Sequence, residues 1–140
     1  MIVLDTNVVS EPLKPAANPA VLAWLDRQAI ETLFLTTISL AELRYGVAAL
    51  PDGRRKSGFG AALEGRILAL FGSRVLAFDT AAADAYAVIR ARAKAAGRAI
   101  AAADSYIAAT AAAHGFAVAS RDTEPFEAAG LPVINPWTAA

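Results

Sequence analysis

Apolar positions along this chain fall into two rhythms. Short runs of mainly apolar residues occur at Ile2–Leu4, Leu33–Thr36, 75–78 and 116–119. They have the length and residue types of strands buried on both faces. A weaker fifth run is Val133–Ile134. Longer stretches with helical spacing lie between them. Asn18 followed by Pro19 predicts a helix over 19–28, with Asn18 as N-cap and the proline at the first helical position. A second helix is expected from Ser39 to about residue 50, stopped by Pro51-Asp52-Gly53. A third covers 54–71, where Gly58, Gly60 and Gly65 lower the helix propensity. A fourth covers 80–96, with Thr80 as cap and Gly97 as terminator. A fifth runs from Ile100 to His114 and ends at Gly115.

Strands alternating with helices predict an α/β fold: a central, mainly parallel sheet of about five strands with helices on both faces. No linker or internal repeat divides residues 1–140, so one domain is expected. A chain of this size buries roughly two-thirds of its unfolded surface, enough for a real core. The one long polar loop, 51–60, carries Arg54, Arg55 and Lys56.

Composition changes the picture in three places. The apolar fraction of 56% looks membrane-like until the 36 alanines are set apart. Alanine is the best helix former, and no run of about 18 residues is apolar throughout, so no membrane span is expected. The N-terminus has no basic region, and Asp5 breaks its apolar run, so no signal peptide is expected. Lys+Arg and Asp+Glu both total 13, so any affinity for nucleic acid must come from a local patch. The absence of cysteine removes disulfides, thiolate chemistry and cysteine-bound metals, and fits a reducing cytoplasm.

Four isolated acids carry the candidate chemistry. Asp5 ends the first strand, where open α/β sheets place ligands; capping the next helix is the plain alternative. Glu42 stands three residues after Ser39, the spacing of a capping box, yet its neighbours are Ile38, Leu40, Ala41 and Leu43. Asp104 lies in a helix that is apolar nearly all round, where an inward carboxylate needs a partner. Asp122 follows the fourth strand and could instead cap a short helix over 123–129. In a parallel sheet these acids fall at the C-terminal edge. Two carboxylates about 4 Å apart repel by about 4 kcal/mol at an effective dielectric near 20. A hard divalent cation, Mg²⁺ or Mn²⁺, resolves the conflict. Such an ion activates water and neutralises phosphoryl charge.

Competing chemistries find little support. The one histidine, His114, precedes Gly115 and reads as a helix C-terminus. Neither a P-loop nor a GxGxxG fingerprint occurs.

Four segments occur in order over nearly the whole chain: Val3-Leu4-Asp5-Thr6-Asn7-Val8, Ser39-Leu40-Ala41-Glu42-Leu43-Arg44-Tyr45-Gly46, Ala103-Asp104-Ser105-Tyr106-Ile107-Ala108-Ala109 and Val118-Ala119-Ser120-Arg121-Asp122. Together they resemble the PIN-domain ribonucleases, and within them the VapC/FitB-like toxins of type II toxin–antitoxin pairs. The resemblance implies a PIN-like three-layer sandwich and a metal-dependent endoribonuclease. It makes Asp5, Glu42, Asp104 and Asp122 the binders of Mg²⁺ or Mn²⁺, with Asp5 and Asp104 as direct ligands. Thr6, Asn7 and Ser120 become supporting residues. It further implies RNA substrates, transfer RNA among them, a small VapB-like antitoxin, a homodimer and higher toxin–antitoxin assemblies. Many relatives carry Asn where this chain has Asp122 and an acid where it has Pro125, so Asp122 and Glu124 both stand as the fourth carboxylate.

RNA would meet Lys and Arg at its phosphates, and Arg44, Arg54, Arg55, Lys56 and Arg121 are the candidates; a solvated loop equally explains residues 54–56. Trp24 and Trp137 are potential stacking platforms, with packing the favoured reading. Two rival functions remain. Phosphatases with an Asp nucleophile usually carry a second Asp two residues on, where this chain has Asn7. A toxin-like scaffold could act with its antitoxin as a DNA-binding repressor.

Overall fold

β1 (Ile2–Leu4) is the middle of a five-stranded sheet in the computed structural model, which describes residues 1–139. β2 (Leu33–Thr36) and β3 (Val75–Leu76) extend the sheet to one side. The chain then returns to lay β4 (Ala117–Ala119) and β5 (Val133–Ile134) on the other. Every pairing is parallel, in the order β3-β2-β1-β4-β5. The direction of winding reverses at β1, and Leu4 stands in register with Ala119 there. Asp5 and Ser120 therefore leave the sheet side by side at the switch point, the position where such sheets bind ligands.

Alternation along each strand divides the core in two. Val3, Phe34 and Val118 point to one face, among Ile89, Ala93, Ile107 and Phe126. These come from α6 (Thr80–Ala95), α7 (Ala102–His114) and α8 (Glu124–Ala128). Leu4, Leu33, Leu35 and Ala119 point to the other, among Val8, Trp24 and Leu43. Those belong to α1 (Thr6–Ser10), α2 (Pro19–Asp26) and α3 (Thr37–Ala48). Ile107 and Phe126 are almost wholly enclosed, and each such side chain contributes about 1.5–3 kcal/mol of transfer free energy. Ala108, Ala109 and Ala111 of α7 are fully buried, so part of the alanine excess supplies small contact surfaces between helix and sheet.

Several boundaries differ from the sequence reading, each for a local reason. α3 starts earlier because Thr36, not Ser39, is its N-cap, its hydroxyl accepting from the Ser39 amide at 3.1 Å. Asp79 rather than Thr80 caps α6, accepting from the Ala82 amide at 3.0 Å. The glycine-rich 54–71 stretch stays helical but is not uniform. α4 (Arg54–Ala62) widens into a π-helical stretch, Leu63–Leu68, before α5 (Ala69–Phe71). Asn18 caps α2, and Gly115 ends α7 with φ +71°, a left-handed conformation that suits glycine. Among the described residues no helix is long and apolar enough to cross a membrane.

Candidate functional site

Asp5 is 6% exposed, and both of its carboxylate oxygens are engaged. Oδ1 accepts from the Thr6 amide at 2.8 Å, capping α1, and Oδ2 accepts from the Ser120 hydroxyl at 2.7 Å. Each oxygen keeps a second lone pair, since a carboxylate offers about four acceptor sites. Ser120, fully buried at the end of β4, is the hub of this wall. Its Oγ also accepts from the Asp122 amide at 3.1 Å and lies 3.5 Å from Asn7 Nδ2. Asn7 Oδ1 in turn accepts from the Arg121 amide at 3.3 Å.

Glu42 joins the same place from α3. The Thr6 hydroxyl donates to Glu42 Oε1 at 2.8 Å, with buried Ser39 Oγ 2.9 Å away. Glu42 therefore does not close a capping box: once Thr36 caps α3, Glu42 falls one turn further in and meets Thr6. Asp122 is likewise no cap, because Thr123 occupies that position before α8 without a side-chain bond. Asp104 sits in the first turn of α7, half-buried, with neither a hydrogen bond nor an ion pair among the described residues.

Electrostatics ties the four acids together. Burial pushes the Asp104 carboxyl up to about 6, and the charges of Asp5, Asp122 and Glu42 add to the rise. Burial also pushes Asp5 above its usual range. The Ser120 and Thr6 hydrogen bonds oppose that rise, and the charges of Glu42 and Asp122 add to it. Of the two candidates for the fourth carboxylate, Asp122 is the one that acts on Asp5 and Asp104. Glu124 is engaged instead by Arg98, whose Nε lies 3.2 Å from Glu124 Oε1. No three acidic or histidine side chains among the described residues are gathered closely enough to hold a metal ion as they stand. The donor chemistry nevertheless fits Mg²⁺ or Mn²⁺: all-oxygen ligands, spare lone pairs on Asp5, and an Asp104 pressed by like charges with no cation against it.

The basic candidates are mostly committed elsewhere. Arg44 forms a two-pronged pair with Glu64, at 3.0 and 3.3 Å. Lys56 Nζ contacts the Ala48 carbonyl and Asp52, and Arg55 lies over the Phe59 ring. Arg121 lies over Trp137, 5.3 Å from the ring centroid, while Trp24 is core. Arg54 opens α4 and is exposed. A groove of about 330 Å³ runs from Thr6 and Glu42 past Leu43 and Val47 to Phe59 and Leu63.

Sequence reasoning missed Glu11, which is 4% exposed. Its Oε1 accepts from the Asn18 amide at 3.1 Å and its Oε2 pairs with Lys14 Nζ at 3.0 Å. Burial alone would push this carboxyl up, but Lys14, the Asn18 amide and the charge of Arg121 hold it below its usual range. Lys14 three residues on was the one available signal.

Residues 2–131 match the family model described as PIN domain. The chain is 58% identical to VapC ribonuclease Y4jK of Sinorhizobium fredii over 140 residues, all of both chains. It is 53% identical to toxin FitB of Neisseria gonorrhoeae over 137 residues, 98% of this chain and 99% of that one. A crystal structure of FitAcB from Neisseria gonorrhoeae superposes with a TM-score of 0.96 at 52% identity, covering 99% of this chain and 100% of that chain. The chain therefore belongs to the PIN-domain family, among the VapC/FitB toxins.

Proposed function

We propose that this chain is the toxin of a type II toxin–antitoxin pair and hydrolyses RNA phosphodiester bonds with Mg²⁺ or Mn²⁺ held by Asp5, Glu42, Asp104 and Asp122. The observation that carries this reading is Asp104. Three other acids act on it and no cation does, and it makes no cap bond for its helix. The first turn of a helix favours a negative charge, but that does not account for gathering three further acids around a partly buried carboxylate with no cation; a cation-binding role does. Asp5 and Asp104 would be the direct ligands, Glu42 would be oriented by Thr6, and Asn7 and Ser120 would hold the Asp5 wall. When bound, a divalent ion supplies an activated water and neutralises charge developing on the phosphoryl group. Asp5 and Glu42 are kept in place by their hydrogen bonds, so little reorganisation is needed on that side.

The similarity to VapC ribonuclease Y4jK and to toxin FitB supports RNA cleavage and a toxin role. Transfer RNA is the substrate class we would try first, with Arg44, Arg54, Arg55, Lys56 and Arg121 as phosphate contacts. The likeness to VapBC-5 of Mycobacterium tuberculosis, a member of the VapBC family of toxin–antitoxin systems, at 28% identity and a TM-score of 0.65, supports an antitoxin partner, and a small VapB-like protein seated in the groove beside Glu42 would block the acids. We further read the protein as a cytoplasmic homodimer that enters larger toxin–antitoxin assemblies.

Purified, antitoxin-free protein should cleave transfer RNA or total RNA with Mg²⁺ or Mn²⁺, and EDTA or Asp5→Asn should stop it. Folded protein that binds either metal yet cuts no RNA would sink the enzymatic reading. A second reading has support from the structure of FitAB bound to the IR36 DNA fragment, 51% identical to this chain: the fold would serve mainly as a scaffold in a DNA-binding repressor. Toxicity on expression that Asp5→Asn abolishes separates the two, because a scaffold does not need that carboxylate.

A further inference from the structure

A surface cavity of about 570 Å³ opens where α6 gives way to α7. Its lining includes Tyr86, Arg90, Lys94 and Arg98, and no carboxylate. Tyr86, Arg90 and Lys94 recur every fourth residue, so they form one stripe along α6, with neighbours about 5–6 Å apart. Arg90 is already fixed in place. Its Nη1 donates to the Tyr86 hydroxyl at 2.8 Å, and its guanidinium lies over the Tyr86 ring, 5.5 Å from the centroid. Tyr86 stacks on Tyr106 at 4.9 Å and 13°, and Phe78 meets both rings edge-on. This aromatic pile orients a guanidinium before any ligand arrives, which leaves little rotamer freedom to lose on binding. Lys94 has no hydrogen bond or ion pair from its side chain among the described residues.

Helix-dipole stabilisation is the plain account of basic residues near a helix C-terminus. It covers Arg92 and Lys94 in the last turn of α6, but not Arg90, which lies outside it. The cavity also borders the segment that carries the acids. Its lining runs through Arg98 to Ile100, which leads directly into the first turn of α7 and Asp104, and Arg98 pairs with Glu124, two residues beyond Asp122. A second copy of this chain would set cation against cation if it met the stripe across a two-fold axis. A polyanionic strand complements it.

We propose that the Tyr86–Arg90–Lys94 stripe is a phosphate subsite for single-stranded RNA, in which Arg90 and Lys94 take phosphates flanking the one held at the acids. The subsite builds on the ribonuclease reading above. Arg90 offers a planar fork to the phosphate oxygens and Lys94 a point charge.

The test uses fluorescently labelled single-stranded RNA of mixed sequence and Asp5→Asn protein, which holds the RNA without cutting it. Binding is followed by polarisation between about 50 and about 200 mM salt. Adding Arg90→Gln and Lys94→Gln should weaken binding roughly tenfold and flatten the slope of log Kd against log salt by about 1.4, two contacts at about 0.7 each. Arg92→Gln, on the same helix but lining a different cavity beside Gly130 and Pro132, should move the slope far less. An unchanged slope overturns the subsite, as does an Asp5→Asn protein that binds no RNA. An unchanged Kd with a smaller species in light scattering also overturns it and makes the stripe a contact between copies. Cleavage by the chain with Asp5 intact is scored separately. Normal cleavage with an unchanged slope sinks the subsite alone; a flattened slope without cleavage keeps the subsite and sinks the enzymatic reading.

Discussion

Asp5 and Asp104 act on each other's charge from different elements and are held in opposite ways. Asp5 is enclosed, and hydrogen bonds reach both of its oxygens. Asp104 is half-buried and receives none, and its neighbours are acids. The contrast separates two uses of a carboxylate. A hydrogen-bonded acid contributes to the fold as well as to any ligand. An acid in the first turn of a helix gains from the helix dipole, but one that is partly buried and pressed by three other acids costs the fold until a cation arrives.

The largest expected effect tests whether the two acids are equal in function. Asp5→Asn and Asp104→Asn should each cut RNA cleavage by about a thousandfold or more, a loss of about 4 kcal/mol of transition-state stabilisation. In metal-free protein their stabilities should diverge. Asp5→Asn should lower stability by less than about 1 kcal/mol, since an amide oxygen still accepts one of the two bonds and removing the charge recovers the burial cost that pushes Asp5 up. Asp104→Asn should raise stability, because it removes a charge pressed by three others. Chemical denaturation of both variants checks this, and equal destabilisation would erase the contrast.

A smaller effect probes how the Asp5 wall is held. Ser120→Ala removes the hydroxyl donor to Asp5 Oδ2 and the acceptor for the Asp122 amide. It should cost about 1–3 kcal/mol, the usual range for leaving buried polar groups short of partners. A urea titration measures it. If stability is unchanged, Ser120 is not the hub its contacts suggest.

The sequence made the Asp104 side easier to read than the Asp5 side. An acid in an apolar, alanine-rich helix is anomalous from composition alone, and the five strands announced themselves as short apolar runs. The parallel sheet was also legible from the alternation of strands and helices, but the strand order and the switch point at β1 emerge only from pairing across more than a hundred residues, as between Leu4 and Ala119. Ser39 misled because Ser-x-x-Glu fits a capping box locally. The competing cap, Thr36, wins by ending β2 and starting α3 at one residue, which no local rule weighs. The buried pair of Glu11 and Lys14 was hidden for a similar reason: its burial depends on how the 14–18 segment folds back, as the Asn18 amide shows.

The smallest effect sharpens the comparison through pH. The Asp104 carboxyl titrates near 6 in the folded chain against 3.8 for the ordinary group. Between those values the folded state holds more protons than the unfolded state. Stability of metal-free protein should therefore fall as pH rises through that window and level off above about 6. Asp5, also raised, acts in the same direction. Glu11, held below its ordinary value of 4.5, acts the other way, and its contribution is lost as pH falls below that value. The range from about pH 5 to about pH 7 thus isolates the two raised acids. Because Asp104 is only half-buried, solvent screens the interaction and the fall should be modest. Urea midpoints across the range should drift down in the parent chain and less so in Asp104→Asn. Saturating Mg²⁺ or Mn²⁺ should reverse the drift, since binding to deprotonated carboxylates strengthens as pH rises and adds about 2.7 kcal/mol at a hundred times Kd. A drift that persists in Asp104→Asn at full size would assign it to Asp5, and the unpartnered acid would no longer be the strained one.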